Sequence, residues 1–178
     1  MFQQILSFWF EEIDPEQWWA VDADFDEQIR QRFSDLLRQA SLGELSAWRT
    51  SAKGRLAEII VLDQFSRNIY RNMPQAFAQD PAALVLAQES VAREAHKELS
   101  ADERIFLLLP YMHSESAKIH ISAEQLFREF TPADNYDFEL RHKAIIDRFG
   151  RYPHRNNTLG RTSTPEEIEF LKQPGSSF

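Results

Sequence analysis

Two ionisable side chains, Asp63 and Arg67, lie on the apolar face of a predicted central helix over residues 56–68. Asp63 and Arg67 share one helical face with Leu56 and Ile60, because residues three and four apart are neighbours on a helix. A buried charge is costly unless it is paired. We therefore expect the Asp63 carboxylate to meet a guanidinium, either that of Arg67 or one from the basic segment 148–161. This pattern predicts a polar site inside a helical protein.

Other side chains suited to proton transfer or to anion binding lie in separate segments. His113 and Glu115 directly follow a hydrophobic run, and with Asp63 they are our candidates for acid–base catalysis, since histidine and a desolvated carboxylate can both titrate near neutral pH. The candidates for ligand binding are cations and amides: Arg67, Asn68, Arg148, Arg151, His154, Arg155 and Asn156. Arginine holds carboxylates and phosphates through paired hydrogen bonds. These residues predict a cavity for a small anionic ligand or an acidic peptide end.

Several other kinds of site are excluded or poorly supported. The chain has no cysteine, which excludes disulfides, thiolate metal sites and a cysteine nucleophile. His113, Glu115, His154 and Asp63 offer nitrogen and oxygen ligands, but their spacing fits no zinc signature, and neighbouring arginines would repel a cation. No serine lies in a Gly-x-Ser-x-Gly turn, and no glycine-rich phosphate loop is present. We expect no metal and no cofactor.

The remaining histidines are assigned structural roles. His142 lies on the apolar stripe of a predicted helix, which is typical of a hydrogen-bonded core histidine. His96 and His120 have no polar motif around them, and we expect both at the surface.

The composition indicates a single soluble domain. Of 178 residues, 43% are hydrophobic and 27% charged, as is common in globular proteins. The net charge of −8 disfavours nucleic-acid binding, which needs a basic surface. The longest nearly apolar run, Ile105–Met112, is far too short to cross a bilayer, and the N-terminus lacks the basic residues of a signal peptide. We expect a cytoplasmic protein that binds neither nucleic acid nor membrane.

The charge is unevenly distributed. Residues 141–161 contain six Lys or Arg and one acidic residue, whereas residues 11–27 contain eight acidic residues and no Lys or Arg. Either the two segments neutralise each other, or the basic segment forms a pocket for an anion. The charge pattern does not predict an oligomeric state.

Hydrophobic periodicity and helix-start signals predict which elements position these side chains. Asp80-Pro81 and Thr164-Pro165 combine a capping residue with proline at the first helical position. The predicted helices cover about residues 2–10, 22–39, 52–71, 80–97, 102–109, 117–130, 134–149 and 164–173. Since no alternating strand is found, the chain is predicted to be one all-α domain over residues 1–178 with a short flexible tail, residues 174–178.

Four ordered motifs resemble a known family. They are Leu62–Arg71, Leu109–Glu115, Arg148–Asn156 and Leu159–Glu167, and they are similar to bacterial domain-of-unknown-function family 924 over essentially the whole chain. Ser66 departs from the proline expected in many members. The resemblance implies a compact array of antiparallel helix pairs, similar to tetratricopeptide-repeat proteins, although no 34-residue repeat is visible in the chain. It implies no established activity.

Three alternatives to ligand binding stay open at this point. The polar cluster could be purely structural, because buried ion pairs can specify helix packing without chemistry. The chain could be an enzyme using Asp63, His113 and Glu115. It could also be an adaptor that holds a partner protein in a groove between stacked helices, although fold analogy alone is a weak argument.

Overall fold

The computed structural model describes residues 1–177, and every regular element in that range is helical. The α-helices are α1 (Phe2–Ser7), α2 (Ala23–Ser41), α3 (Ala52–Ile60), α4 (Ser66–Ile69), α5 (Asp80–Ala92), α6 (Ala101–Met112), α7 (Ala117–Phe130), α8 (Ala133–Phe149) and α9 (Pro165–Phe170). The predicted all-α class is confirmed. In the predicted tail, residues 174–178, the backbone N–H of Ser176 donates to the carbonyl oxygen of Gln173 at 3.3 Å. Phe178 lies outside the described residues. The flexibility of the tail stays a prediction.

The segment with the buried ion pair is one continuous helical rod. It runs from α3 through a π-helical turn (Val61–Phe65) into α4, and residues 56–66 are buried. The Ser51 side chain caps its start by accepting a hydrogen bond from the backbone N–H of Gly54 at 3.1 Å. A π-helical turn holds one more residue than an α-helical turn and is frequent at functional sites. Asp63 lies in this turn.

Helix starts follow the capping signals of the sequence. Ser100 and Glu103 form a reciprocal capping box at α6, and Thr164 and Glu167 form another at α9; each box satisfies two backbone N–H groups that lack a partner within the helix. The α6 helix extends to Met112, beyond its predicted end at residue 109, and Pro110 lies inside its last turn.

Aromatic rings form the centre of the core. Phe33 stacks on Phe65 with ring centroids 4.9 Å apart, and Trp9 meets Phe65 and Phe106 edge to face at 5.6 and 5.5 Å. These rings come from α2, α6, the π-helical turn and the segment that follows α1. Their burial therefore holds the central rod between helices from both halves of the chain.

The later helices pack in sequence. α6 contacts α7 and α7 contacts α8, and the short links at residues 113–116 and 131–132 make successive helices antiparallel. A specific likeness to tetratricopeptide repeats stays a prediction. No helix within residues 1–177 has the length and apolarity needed to cross a bilayer.

Candidate functional site

A cavity of about 840 Å³ opens beside the C-terminal end of the central rod. Its walls come from the turn at residues 18–21, the ends of α4 and α6, the first half of α8, and the loop that follows α8. Its apolar wall includes the aromatic side chains of Trp18, Trp19, Phe77, Phe138 and Tyr152, together with that of Met112. Its polar wall includes Arg67, Asn68, Arg71, His113, His154 and Arg155. Cavities of this size and composition suit small organic molecules.

Asp63 lies directly behind the polar wall and is fully buried. Its carboxylate contacts Nη1 of Arg67 at 3.2 Å and Nδ1 of His113 at 2.8 Å, and it accepts a hydrogen bond from Nε2 of Gln64 at 2.6 Å. Burial raises the pKa of Asp63, but Arg67 and His113 outweigh burial and hold that pKa well below its usual range. The carboxylate is therefore ionised at neutral pH, and its expected pairing with an arginine is confirmed.

His113 connects this carboxylate to the cavity. Burial, followed by the nearby charge of Arg67, lowers the pKa of His113, so its ring is neutral at neutral pH. An ionised carboxylate only accepts hydrogen bonds, so Nδ1, which faces Asp63, carries the ring proton. The other nitrogen, Nε2, has no protein partner within residues 1–177 and is not sealed from the cavity that the ring lines. It presents a free lone pair.

Arg67 and Arg155 meet at a carboxylate that the sequence analysis did not select. Asp80 accepts hydrogen bonds from Arg67 at 2.9 and 3.1 Å and from Arg155 at 3.2 Å. Its position before Pro81 suggested a helix cap, but its side chain makes no capping hydrogen bond in α5. Arg155 also donates to the carbonyl oxygen of His113 at 3.1 Å, while its buried Nε has no partner. The charges of Asp63, Asp80 and the two arginines cancel.

A second acidic residue missed by sequence reasoning binds the end of the central rod. Asp26, on α2, accepts a hydrogen bond from Asn68 at 2.8 Å and a bidentate pair from Arg71, whose Nη2 lies at 2.7 Å. Asp26 is buried, but in the sequence it lies within an acidic stretch that resembles a solvated helix start. Its distance of 42 residues from Asn68 left no local signal for the contact.

The structure places several predicted site residues away from the cavity wall. Glu115 binds Arg161 at 2.6 and 2.9 Å and accepts a hydrogen bond from the backbone N–H of Tyr152 at 2.7 Å. Its carboxylate anchors the loop after α8, whereas Asp63 and His113 remain together at the cavity.

Three of the predicted ligand-binding residues contact α9: Arg148 at the end of α8, and Arg151 and Asn156 in the loop that follows. Arg148 pairs with Glu166 at the surface at 2.8 Å, and Arg151 pairs with Glu167 at 2.7 Å. Asn156 donates to Glu167 at 3.3 Å. None of the three lines the cavity; Arg151 and Asn156 tie the loop to α9, and Arg148 joins the end of α8 to α9. Arg67, Asn68, His154 and Arg155 are the predicted ligand-binding residues that do line it.

Replacing Glu167 with glutamine is expected to lower the melting temperature at neutral pH but not in strong acid. Hydrogen bonds from Arg151, with those from the backbone of Thr164, lower the pKa of Glu167 to about 2. This contribution is complete above the usual carboxyl pKa of about 4.3 and is lost as pH falls towards 2. The variant should therefore melt below wild type at pH 7, with the difference shrinking below about pH 4. Circular dichroism melts across pH measure this.

Glu169→Gln is the matched control for that substitution, because Glu169 lies on the same helix but pairs with Lys172 at the exposed surface. Its melting temperature should stay close to wild type at every pH. A deficit of Glu167→Gln that did not vary with pH would show that the carboxylate charge contributes nothing.

The predicted positions of the other histidines are partly wrong. His142 is buried and its Nδ1 lies 2.7 Å from the carbonyl oxygen of Phe138, as predicted for a core histidine. His120 and His96 are also buried, so their predicted surface positions are wrong. His120 pairs with the buried Glu139 on α8 at 2.7 Å, and a partner 19 residues away cannot be recognised from the local pattern. Within residues 1–177, no cluster of three or more His, Asp or Glu side chains could hold a metal ion.

Comparisons with known proteins agree with the resemblance found in the sequence. A family model described as bacterial protein of unknown function (DUF924) matches residues 5–175. The solved structure of a protein of unknown function from Agrobacterium tumefaciens superposes with a TM-score of 0.91 at 34% identity and covers 96% of each chain. No curated protein matches. With the family match spanning almost all of its length, the chain belongs to the bacterial DUF924 family.

Proposed function

We propose that the protein binds a small organic carboxylate in the cavity. The observation that carries this proposal is the juxtaposition of an apolar, partly aromatic wall with the guanidinium groups of Arg67 and Arg155. The ring-lined wall suits the apolar body of such a ligand, and the arginines suit its carboxylate. The cavity is large enough for a molecule with one ring or a medium-length alkyl chain.

Arg155 has N–H groups that can donate to one additional hydrogen-bond acceptor, such as a ligand carboxylate. Arg155 uses one Nη nitrogen for Asp80 and the other for a carbonyl oxygen, so each Nη keeps one N–H group without an acceptor. A guanidinium carries more N–H groups than these contacts occupy. A carboxylate can therefore be bound without breaking the existing pairs.

The charge balance favours a singly charged ligand. Asp63 and Asp80 already compensate Arg67 and Arg155, so the polar wall has no large positive excess. A doubly charged phosphate would be repelled by both carboxylates at short range. A monocarboxylate, with its apolar body buried, gains more from the cavity than a small inorganic anion does.

Exposed apolar side chains at the cavity mouth favour a second candidate, the C-terminal end of a partner peptide. Trp19, Val21 and Phe138 are 58%, 80% and 46% exposed, and all three line the cavity. Such side chains at an opening often contact a larger ligand. A peptide ending in a hydrophobic residue would place its carboxylate at the arginines and its preceding residues across these side chains.

Titration with 4-phenylbutyrate, followed by calorimetry and tryptophan fluorescence, tests the proposal. We expect saturable binding, and we expect Arg155→Lys and Arg67→Lys to weaken it about tenfold or more, because lysine keeps the charge but loses the planar hydrogen-bonding geometry. Arg148→Ala is the matched control: Arg148 pairs with Glu166 outside the cavity, so its loss should leave the affinity unchanged.

Three further ligands distinguish carboxylate recognition from the alternatives. The amide 4-phenylbutyramide should bind more weakly than the acid, since it lacks the charge; equal binding would contradict carboxylate recognition. Octanoate replaces the ring with an alkyl chain, and failure of both acids to bind would overturn the proposal. A short peptide ending in phenylalanine that binds more tightly than either acid, and loses affinity when amidated, would favour the peptide candidate.

A further inference from the structure

We propose that the cavity is also catalytic, and that His113, held by Asp63, uses Nε2 to take a proton from a water molecule that attacks the acyl carbon of a bound, uncharged ester or amide. The inference rests on the proposed function, because the carboxylic acid bound there would be the product of this hydrolysis. It differs from simple binding in assigning a reaction and a general base.

The base is oriented by fixed contacts on one side and accessible on the other. Asp63 contacts Nδ1 of His113 at 2.8 Å, and Gln64 and Arg67 hold Asp63 in turn at 2.6 and 3.2 Å. Because Asp63 is fully buried within the π-helical turn, it cannot move to another rotamer without losing these partners. The ring is thus held with Nε2 as its free nitrogen, the arrangement that a general base needs.

The geometry favours water as the nucleophile. Thr158, Ser177 and Tyr152 are the hydroxyl-bearing side chains on the cavity wall within residues 1–177, and none of them hydrogen-bonds to His113. The Tyr152 hydroxyl donates to the carbonyl oxygen of Met112 at 2.5 Å, and burial raises its pKa. A serine, threonine or tyrosine activated by His113 is therefore absent from this wall, which leaves water as the reactant that the base can reach.

The proton and electron movements balance. Nε2 of His113 accepts a proton from water as the water oxygen bonds to the acyl carbon, and the carbonyl π electrons move onto the carbonyl oxygen. Arg155 and Arg67 have N–H groups on the same wall that can stabilise this oxyanion. When the oxyanion collapses, the bond to the alcohol or amine breaks, and the leaving group takes the proton from Nε2. The acid and the alcohol or amine are released.

The charged neighbours of His113 suit this cycle. Asp63 is an ionised partner for the imidazolium formed after the first step. The other charged groups near the ring are Arg67 on the central rod, Asp80 on α5 and Arg155 on the loop, with the histidines at positions 142 and 154 nearby. The two arginines and two carboxylates cancel before the reaction, so an uncharged substrate enters without electrostatic penalty. The developing negative charge appears at the arginines.

Hydrolysis of the 4-nitrophenyl ester of 4-phenylbutyric acid, followed by absorbance, tests the activity. We expect saturable hydrolysis whose kcat falls at least about a hundredfold in His113→Gln. Asp63→Asn should also lower kcat and should change the pH profile, because an amide can hydrogen-bond the opposite tautomer of the ring. In wild type, kcat should rise with pH and level off below the usual histidine pKa of about 6.5. Arg148→Ala should retain the wild-type kcat.

Labelling of the wild-type protein supplies a readout that does not depend on a variant folding. With 2-bromo-4-phenylbutyrate, the Nε2 lone pair forms a bond to the bromine-bearing carbon as bromide leaves, and peptide mass spectrometry locates the product. We expect one modified residue, His113, and protection by 4-phenylbutyrate. Hydrolysis no faster in wild type than in folded His113→Gln, or labelling that does not favour His113, would overturn the inference.

The binding and catalytic proposals fail in distinguishable ways. If 4-phenylbutyrate binds but the ester is not hydrolysed and His113 is not labelled, the catalytic inference fails and binding stands. If the ester is hydrolysed in a His113-dependent manner but no acid binds, carboxylate binding fails as the function. If neither acid binds and neither reaction occurs, both proposals are wrong.

Discussion

Asp63→Ala is expected to lower the free energy of unfolding by about 3–5 kcal/mol at pH 7, as observed when one member of a buried ion pair is removed. The carboxylate is fully buried and has contacts with Arg67, His113 and Gln64. Its loss leaves Arg67 and Arg155 with Asp80 as their shared partner, and it removes the partner of the His113 ring proton. Urea unfolding at pH 7 measures the change.

The free energy of unfolding that Asp63→Ala loses is expected to be smaller in acid than at neutral pH. Because the pKa of Asp63 is held well below its usual range, its contribution to stability is complete above the usual aspartate pKa of about 3.9. The contribution is lost as pH falls through the pKa of the folded state. The difference between wild type and Asp63→Ala should therefore be largest near neutral pH and smaller in acid.

Asp134→Ala is the control, because Asp134 lies on the cavity wall but is exposed. Its effect should be within about 0.5 kcal/mol. A loss for Asp63→Ala below about 1 kcal/mol, the range of exposed pairs, would contradict the buried pairing. A variant that stays folded but no longer binds 4-phenylbutyrate would separate the role of Asp63 in the cavity from its role in stability.

Gly54→Ala is expected to destabilise the protein by about 3 kcal/mol or more, the upper range for overpacking a core. A Cβ at this position would lie 2.0 Å from the carbonyl oxygen of Trp48 and 2.9 Å from its carbonyl carbon. Both atoms are backbone, so no side-chain rotation relieves the clash. Either α3 or the turn Ser46–Thr50 must move, which would also disturb the contact of Arg49 with the buried Glu58 at 2.6 Å.

The expected change in stability for Gly54→Ala is opposite in sign to the change that helix propensity predicts. On helix propensity alone, alanine should stabilise a helix relative to glycine by about 1 kcal/mol. Thermal and urea unfolding of Gly54→Ala should instead show a large loss, with Arg38→Ala on the exposed face of α2 as a near-neutral control. Any stabilisation by Gly54→Ala would show that the turn does not approach α3 closely.

The separation of the predicted site residues changes the interpretation of the polar motifs. Arg151, Asn156 and Glu115 hold the loop after α8 in place through contacts with α9 and with the loop itself, whereas Arg148 makes an exposed pair between α8 and α9. That loop in turn carries Arg155 to the cavity. One part of the motif therefore builds the wall, and the other part supplies the groups that face a ligand.

The local pattern of the chain was sufficient for most of the helices and for the burial of Asp63. Apolar residues recur at helical spacing, and the capping boxes at Ser100 and Thr164 begin helices in the structure as their sequences predict. Both signals depend on residues within one or two helical turns. The burial of Asp63 follows in the same way, because the residues one turn before it on its helical face, Ile59 and Ile60, are aliphatic.

Tertiary packing decided which polar groups from distant segments meet. Asp80 lies 75 residues from Arg155, Asp26 lies 45 residues from Arg71, and Asp63 lies 50 residues from His113. Such pairs depend on how helices cross, and the apolar stripes of several helices are compatible with more than one crossing. Local spacing therefore determined that Asp63 would be buried with Arg67 within reach, while the packed helices determined the burial of charges such as Asp26, their distant partners and the cavity that the polar groups line.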